Sequence, residues 1–300
     1  MSTRQIETFQ KKHIKEVVRF LNETMPYDQI TEELLKEQTS GDLDYEPALS
    51  LIAREKRIEG FVLGICRREE SYSGMKIFSV REGANGQAIG IALLEKLEQE
   101  FIKRGIFHIS AGRCPIKYLQ PGMDARYTMA VSLLLKKGYQ IEGTGQNMEV
   151  DLATSEFDTR KEEEKLKQAG IIVKRLQEDD RSEYMHSLKD FGSTFFYSGM
   201  LAYNNDPVSA HIAVQDNKVV GYAVHSVTTG HYFGPEGVSP KMQGKGIGEV
   251  LLKRCLKDIK ETGEKKAVIF SVGPVYFYWK TVGAVIPRLL WKMSKDLKKK

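Results

Sequence analysis

The chain has 300 residues, of which 41% are hydrophobic and 28% are charged, and this globular composition excludes a largely disordered protein. Its length favours two domains over one. No run of residues approaches the ~18 consecutive apolar positions of a membrane span, so the sequence predicts no such span.

The formal net charge of +5 is unevenly distributed. Residues 1–150 hold 21 Lys and Arg against 21 Asp and Glu, whereas residues 151–300 hold 24 against 19. Five lysines of the second half lie at 292–300, a stretch that we interpret as a solvated tail. A nucleic-acid binder would carry its basic residues on a folded face, so we expect no nucleic-acid partner.

Two features bear on location and metal content. Residues 1–15 are polar and of mixed charge, and they lack the apolar core of a secretory signal. The spacing of Cys66, Cys114 and Cys255 fits neither a disulfide framework nor a zinc site. We therefore expect a cytoplasmic protein without a bound metal.

Hydrophobic periodicity predicts the elements of the first half in chain order. A Gly-rich turn follows the third strand and leads into an amphipathic helix that ends near residue 103. A second helix is predicted at 127–137. The predicted strands are 48–54, 58–67, 76–81, 107–112 and 147–152.

The second half repeats this order after a strand at 171–176. A hairpin is predicted around Asp216-Asn217, because these residues favour the tight turns that join antiparallel strands. The predicted helices are 246–262 and 275–282. The predicted strands are 208–215, 218–227, 231–238, 267–272 and 288–293.

Two Gly-rich segments in the two halves are similar to each other. The segment at 80–94 reads VREGANGQAIGIALL, and the segment at 238–252 reads VSPKMQGKGIGEVLL. The offset is 158 residues throughout, and six of the fifteen positions are identical. Because the surrounding elements also recur in the same order, we infer an internal duplication.

The stretch between the halves predicts the domain boundaries. Residues 153–168 are rich in Glu, Lys, Asp and Thr, and 162–167 favour an exposed connector helix. We predict a first domain at 1–152, a charged connector at 153–170 and a second domain at 171–300. Two similar domains can dock on each other as an intramolecular pseudo-dimer, so we expect a monomer.

The second Gly-rich segment has the features of an anion site. Gly244, Gly246 and Gly248 fall within five residues between a predicted strand and a predicted helix. Such a turn lets a ligand approach the backbone, and the helix adds unpaired amides and the positive end of its dipole. A pyrophosphate suits this arrangement. The pattern fits neither a dinucleotide fingerprint nor a P-loop, and a turn without a ligand is the alternative.

The stretch VSPKMQGKGIG at 238–248 resembles motif A of the Gcn5-related N-acetyltransferases, the GNAT superfamily, whose pattern is V-x-P-x-x-[RQ]-G-x-G-[IVL]-[GA]. The stretch VGPVYFYWKTVGA at 272–284 resembles the family's second signature, a helix that ends in Tyr and is followed by Gly. The order of elements resembles the family over nearly all of the second half, and the two-domain architecture is similar to that of tandem members such as mycothiol synthase.

The resemblance implies an α/β (α+β) fold with two tandem GNAT-like domains, each a mixed, mostly antiparallel central sheet flanked by helices. It implies that the strands near Val238 and Phe270 diverge, and that acetyl-CoA binds in the gap as acyl donor. The implied activity is transfer of the acetyl group to a primary amine of a small molecule or peptide, by direct attack. The implied cofactor-binding residues are Val238, Gln243, Gly244, Lys245, Gly246, Ile247 and Gly248.

Glu236 is the candidate for the general base. It precedes Val238 by two residues on the same predicted strand, so both side chains share a face, and partial burial would raise its pKa. A carboxylate at the strand edge without a chemical role is the alternative, and His231 and His225 are further candidates for the base. The backbone N–H of Val238, freed where the strands diverge, is implied to stabilise the oxyanion.

The resemblance implies a tyrosine of the helix at 275–282 as the general acid, and we select Tyr278. Its spacing to Gly283 is five residues, whereas the family's usual spacing is four and would select Trp279. Tyr276 is another candidate, and aromatic packing without chemistry is the alternative.

The first half departs from the motif. Glu82, Asn85 and Ala88 stand where the pattern has Pro, Gln or Arg, and Gly. We expect a degenerate, non-catalytic copy there, although Ala88 leaves cofactor binding open. A chain that binds CoA without turnover, as a sensor or regulatory module, is the alternative function. We expect loops such as 195–205 to line the acceptor site.

Overall fold

The computed structural model describes residues 5–67, 72–83, 85–112, 114, 119–227 and 229–298. Contacts divide the chain into two compact units. Unit 1 consists of Met1–Gly145 together with Arg288–Lys300, and unit 2 is the continuous segment Gln146–Pro287.

The strands of the described residues are, in chain order, β1 Gln5–Thr8, β2 Ser50–Arg54, β3 Ile58–Arg67, β4 Tyr72–Val80, β5 His108–Ala111, β6 Met123–Asp124, β7 Gln140–Gln146, β8 Met148–Asp151, β9 Ile172–Arg175, β10 Ala210–Gln215, β11 Lys218–His225, β12 Tyr232–Val238, β13 Lys266–Ile269 and β14 Leu289–Asp296.

The α-helices are α1 Ile14–Thr24, α2 Glu32–Gln38, α3 Gly86–Lys103, α4 Thr128–Lys136, α5 Arg160–Gln168, α6 Arg181–Leu188, α7 Ser193–Leu201, α8 Ile247–Glu261 and α9 Val275–Val282. Across the described parts of the chain, none of the helices combines the length and the apolar character needed to cross a membrane.

Each unit is built on one mixed sheet. In unit 1 the order is β1-β2-β3-β4-β5-β14-β6, and β7 also pairs with β14. In unit 2 the order is β8-β13-β12-β11-β10-β9. In each sheet one neighbouring pair runs parallel, β4 with β5 and β12 with β13, between antiparallel pairs. The predicted fold class is therefore confirmed.

The duplication is visible in the strand register. In unit 1 the parallel pair joins Gly74 to Ser110, and in unit 2 it joins Tyr232 to Val268, so both partners are shifted by the same 158 residues. A Cβ on Gly60 would meet Leu93 and Ile89, and a Cβ on Gly221 would meet Leu251 and Ile247; the helix residues again differ by 158, and the two glycines by 161. The same helix packs on the same strand in both units.

The first helix after each Gly-rich turn supplies the core on one face of its sheet. In α8, residues Val250, Leu251, Cys255 and Ile259 are fully buried, at the spacing of one helix face. Cys255 is thus a core residue. Burial of such side chains contributes ~1.5–3 kcal/mol each, which fixes the helix and its first turn on the sheet.

The division of the chain differs from the predicted domains at both ends of unit 2. Strand β8 ends the first half in sequence, but its four residues pair with β13 of unit 2, from Lys266 with Asp151 to Ile269 with Met148. The alternation of buried and exposed residues identified this strand correctly. The alternation does not indicate which sheet edge the strand joins. Because β8 joins the sheet of unit 2, the boundary between the units lies before β8.

The predicted solvated tail is wrong for most of its length. Residues 289–296 form β14, which pairs with β5 from Met293–Ala111 to Asp296–His108. Met293 is buried in the core of unit 1, and Ser294 is buried on the opposite face of the strand, while Lys295 forms an ion pair with Glu98. Lys299 and Lys300 lie outside the described residues.

Candidate functional site

The two parallel strands of unit 2 diverge after one short stretch of pairing. The Phe270 N–H donates to the Phe233 carbonyl at 3.1 Å, and this is the last bond between the two strands among the described residues. Pro235 follows two residues later and has no N–H with which to continue the ladder. The gap that the resemblance implied therefore opens at this point.

The Gly-rich turn lies at the end of β12. Gly244 and Gly246 have φ values of +78° and +89°, which favour glycine, and a Cβ at either would find nothing within 4 Å. Helix α8 has no side-chain cap at its N-terminus. The amides of its first turn, 247–249, thus lack intrahelical partners, and an approaching anion can reach the turn.

The side chains around the turn complement an anion. Lys245 is exposed and its Nζ contacts Met242 Sδ at 3.5 Å, with no carboxylate in contact within the described chain. Gln243 Nε2 donates to the Val238 carbonyl at 3.2 Å, which ties the turn to the end of β12. Glu249 is the acidic residue of the first helical turn, and Lys253 Nζ lies 2.6 Å from its carboxylate. That ion pair offsets the negative charge near the anion site.

Glu236 lies on β12 beside the first turn of α8. Its Oε1 is buried without a hydrogen-bond partner within the described residues, and it lies 2.9 Å from where a Cβ of Gly248 would be. Burial raises the pKa of this carboxyl to about 8, and a hydrogen bond from Tyr278 opposes the shift. The group is therefore mostly protonated at pH 7 and becomes a base slightly above it.

Tyr278 comes from α9 and meets Glu236 across the gap. Its hydroxyl donates to Glu236 Oε2 over 3.4 Å, a long hydrogen bond, and only 8% of the residue is exposed. Burial, followed by the adjacent carboxyl, raises the pKa of the Tyr278 hydroxyl well above its usual value. The hydroxyl thus keeps its proton at neutral pH.

The helix register distinguishes the three aromatic candidates by position. Tyr276 and Trp279 are 68% and 57% exposed and contact each other, at 5.8 Å between ring centroids, whereas Tyr278 points inward. The structure thus brings Glu236 and Tyr278 together and leaves the other two outside.

The N–H of Val238 points to the open side of β12. In an antiparallel pair, successive N–H groups alternate between the two edges of a strand. The Ser239 N–H donates to the Val220 carbonyl of the neighbouring strand at 2.9 Å. The Val238 N–H, one residue earlier, therefore faces the opposite edge, where β13 has already diverged.

The corresponding turn of unit 1 is filled. Helix α3 begins at Gly86, three residues earlier than α8 after the offset of 158, so the Ile89 N–H donates within the helix to Asn85 at 3.0 Å. A Cβ on Gly86 would lie 2.4 Å from the Met129 side chain. Phe78 occupies the position of Glu236. Ala84, within this segment, lies outside the described residues.

The candidate histidines take other roles. Asp258 of α8 accepts from His211 Nε2 at 2.7 Å and His225 Nε2 at 3.1 Å, and His225 Nδ1 contacts Ser226. Both ring nitrogens of His225 are thus engaged, and it joins strand β11 to α8. Burial lowers the pKa of His231, whose ring packs on Tyr232. No local sequence pattern indicates the role of Asp258, because its partners lie 33 and 47 residues away.

The segment predicted to be an acceptor loop at 195–205 is mostly helical. It falls in α7 and in a 3-10 turn at Ala202–Asn204. Just before it, Phe191 packs closely against Gly237 of β12 and stacks on Phe195. Most of the predicted loop is thus helix α7, which packs on the face of the sheet opposite α8.

The comparisons with known proteins agree with this geometry. Residues 173–275 match the model of the acetyltransferase (GNAT) family, a match that includes motif A and ends three residues before Tyr278. A comparison with curated proteins finds no match. Among solved structures, the GCN5-related N-acetyltransferase of Sphaerobacter thermophilus has a TM-score of 0.73 at 17% identity, covering 98% of this chain and 96% of its own.

A tandem GNAT protein of the clavulanic acid biosynthesis pathway has a TM-score of 0.69 at 12% identity, covering 98% of this chain and 99% of that one. The family model covers 173–275, a segment within unit 2, and the tandem protein shares its fold with nearly the whole chain.

The glucosamine N-acetyltransferase region of a fungal multi-domain GH3 beta-N-acetylglucosaminidase is also similar, with a TM-score of 0.77 at 15% identity. The chain aligns over 98% of its length but spans only 38% of that fungal protein. At such identities the neighbours establish the fold, and they leave the acceptor open.

Proposed function

We propose that the protein is an acetyl-CoA-dependent N-acetyltransferase whose active site lies in unit 2. One observation carries the proposal: the gap beyond Phe233 and Glu236 lie along β12, the open turn lies at its end, and Tyr278 reaches Glu236 from α9. A pyrophosphate on the turn would direct the acyl arm into the gap, toward the two titratable groups.

The residues of this unit fit a CoA ester. The amides at 247–249 and the backbone of Gly244 and Gly246 would hold the pyrophosphate, with Lys245 supplying a positive charge. The open space where Cβ atoms would lie at both glycines is the observation that supports this fit. Acetyl-CoA would supply an activated thioester carbonyl.

Three groups of the chain would assist the transfer. The Glu236 carboxylate would accept the proton of the attacking amine, directly or through a water. The Val238 N–H would stabilise the negative charge that develops on the carbonyl oxygen. The Tyr278 hydroxyl would donate its proton to the departing thiolate, and the raised pKa of that hydroxyl keeps the proton available. No nucleophilic side chain is required, because an amine attacks directly.

The filled turn of unit 1 supports a non-catalytic role for that unit. The amides equivalent to those at 247–249 are used inside α3, and Met129 occupies the space beside Gly86. We infer that acetyl-CoA binds in unit 2 and not in unit 1.

One observation favours the alternative of a CoA sensor without turnover. A carboxyl whose pKa is about 8 is mostly protonated at pH 7, so the resting site holds little free base. The binding of an amine would have to draw that proton away, or turnover would be confined to higher pH.

Two measurements on the full chain separate the functions. Calorimetry would show CoA binding, and a thiol-detecting assay with acetyl-CoA and a panel of small amines, lysine peptides and peptide N-termini would show turnover. We expect binding together with thiol release that depends on one class of amine. Binding without release on the entire panel, at pH 7 and pH 9, would favour the sensor, and absence of binding would refute both functions.

A further inference from the structure

The segment 146–149, which runs from the last residue of β7 into β8, holds helix α9 at both of its ends. Before the helix, the Val272 N–H donates to the Gln146 carbonyl at 3.0 Å, and Gln146 Nε2 donates to the Val272 carbonyl at 3.3 Å. After the helix, Glu149 and Val285 exchange both of their backbone hydrogen bonds, at 2.8 and 2.9 Å. The helix that carries Tyr278 is thus fixed at two points, one at the end of β7 and one in β8.

Asn147 makes the contact at the point where the chain turns toward this helix. Its side chain is 1% exposed, and its Oδ1 accepts a hydrogen bond from the Ser271 N–H at 2.9 Å. Ser271 has a φ of +51°, in the left-handed region that a serine seldom adopts. Ser271 directly follows Phe270, where the parallel pairing ends, and α9 begins at Val275.

We propose that Asn147 is a positioning residue of the acyl-transfer site: its side-chain carbonyl holds Ser271 in the left-handed conformation and so sets the path by which α9 brings the Tyr278 hydroxyl to Glu236. The proposal rests on the proposed function, since it assigns Tyr278 a part in the reaction. Asn147 itself lies outside the reacting groups and acts through Tyr278.

Loss of the Asn147 side chain should affect the site because the hydrogen bond between Tyr278 and Glu236 is long and weak. The Tyr278–Glu236 hydrogen bond is already 3.4 Å long, so a small displacement of α9 would break it. An alanine at 147 would leave the Ser271 N–H without its acceptor, and the strained φ would then relax. The motif A turn belongs to another element and would keep its shape.

The first test is a double-mutant cycle in the full chain. We expect Asn147→Ala to lower kcat about ten-fold with a KM for acetyl-CoA within two-fold of wild type. In the background of Tyr278→Phe, the same change should lower kcat less than two-fold, because the group that it displaces is already absent. Equal effects in both backgrounds would show that Asn147 acts on general stability and would overturn the proposal.

A second variant keeps the result interpretable if Asn147→Ala is poorly folded. Glycine adopts positive φ without strain, so Ser271→Gly should be tolerated and, combined with Asn147→Ala, should restore most of kcat. Ile212→Val is the matched control, because Ile212 is buried in a cluster with Tyr184 and Tyr222 away from α9. It should lower the thermal midpoint without changing kcat. Failure of Ser271→Gly to restore kcat would contradict the assigned role.

A readout that needs no turnover separates this proposal from the proposed function. The carboxyl carbon of Glu236 can be titrated by NMR in the full chain. We expect Asn147→Ala to bring its pKa down by at least one unit toward the ordinary value, as the displaced helix exposes the carboxyl, and Ile212→Val to leave it unchanged. An unchanged pKa in Asn147→Ala refutes the positioning role, whereas a wild-type protein without thiol release refutes the proposed function alone.

Discussion

The two Gly-rich turns share one origin and one strand register, but they differ in what fills the space before the helix. In unit 2 the turn is lined by exposed backbone, and α8 starts after Gly246. In unit 1 the helix starts at Gly86, and a methionine of α4 packs into the turn. The comparison teaches that one additional helical turn is sufficient to consume the amides that an anion would need.

The strand residues that face the first turn of each helix also differ between the two units. Gly90 of α3 faces Leu133, Val80 and Phe78, which are all apolar, whereas Gly248 of α8 faces Glu236 and Phe277. The position that is hydrophobic core in one copy is a titratable group in the other. A protein gains little stability from a partly buried carboxyl without a strong partner, so its presence in unit 2 favours a chemical role.

If unit 2 is a complete folding unit, it should fold without unit 1. Expressing fragments of the chain tests this, and we expect the largest effects there. We expect residues 146–287 to unfold cooperatively on heating, as monitored by circular dichroism, because they contain every strand of their sheet. Residues 171–300 lack β8, which exposes the edge of β13, and they carry β14 without its neighbours. We expect that fragment to aggregate. A well-folded 171–300 and an unfolded 146–287 would contradict the observed division.

Matched substitutions test the two turns against each other. Gly246→Trp forces a bulky side chain into a left-handed position over the amides, and CoA binding measured by calorimetry should weaken at least 100-fold. The equivalent Ala88→Trp lies on an exposed position of α3 and should leave binding unchanged. The reverse result would assign the acyl donor to unit 1.

The role of the Tyr278 hydroxyl can be tested with Tyr276, an exposed tyrosine of the same helix, as the control. Tyr278→Phe removes the proposed acid, and we expect kcat to fall about 10- to 100-fold with an unchanged KM for acetyl-CoA. Tyr276→Phe removes a hydroxyl from an exposed position on the same helix and should have no effect. Similar losses in both variants would indicate a fault in helix packing rather than proton transfer.

The pH dependence sharpens the comparison of Glu236 with Phe78. Because the pKa of Glu236 is raised to about 8, the base form increases as pH rises, and kcat/KM should rise through pH 8 and then level off. In Glu236→Gln this rise should disappear. A rate that is flat from pH 6 to 9 in the wild type would remove Glu236 as the base.

The same shift has a consequence for stability with a defined sign. The folded state retains the proton that the unfolded state releases above pH 4.5, so wild type should lose stability relative to Glu236→Gln as pH rises from 4.5 to 8. The difference should grow by at most ~1.4 kcal/mol per pH unit, the limit for one proton, and should be constant above pH 8. Denaturant titrations at several pH values would measure it.

Much of this architecture could be predicted from the sequence because local patterns determine it. The boundaries of β3 and α9 were predicted as observed, and Asp216 and Asn217 both have positive φ in the predicted hairpin. The motif around Gly246 was identifiable because left-handed backbone and small residues leave a direct mark on the sequence.

The remaining features depend on distant partners. The partner of β8 could not be predicted, because β8 would satisfy any open edge with the same alternation of side chains. The inward direction of Tyr278 also required the structure, since Tyr276, Tyr278 and Trp279 are all compatible with one short helix. The link from Asn147 to Ser271 spans 124 residues, and no local pattern indicates it.

The interleaved strands bear on the order in which the protein forms during synthesis. Unit 2 is continuous and can close as soon as Pro287 has left the ribosome, whereas the sheet of unit 1 stays open between β5 and β6 until β14 emerges. Nascent chains usually mature from the amino terminus onward. Here the later-made unit can be finished first, and the sheet of the earlier unit keeps an exposed edge until β14 emerges.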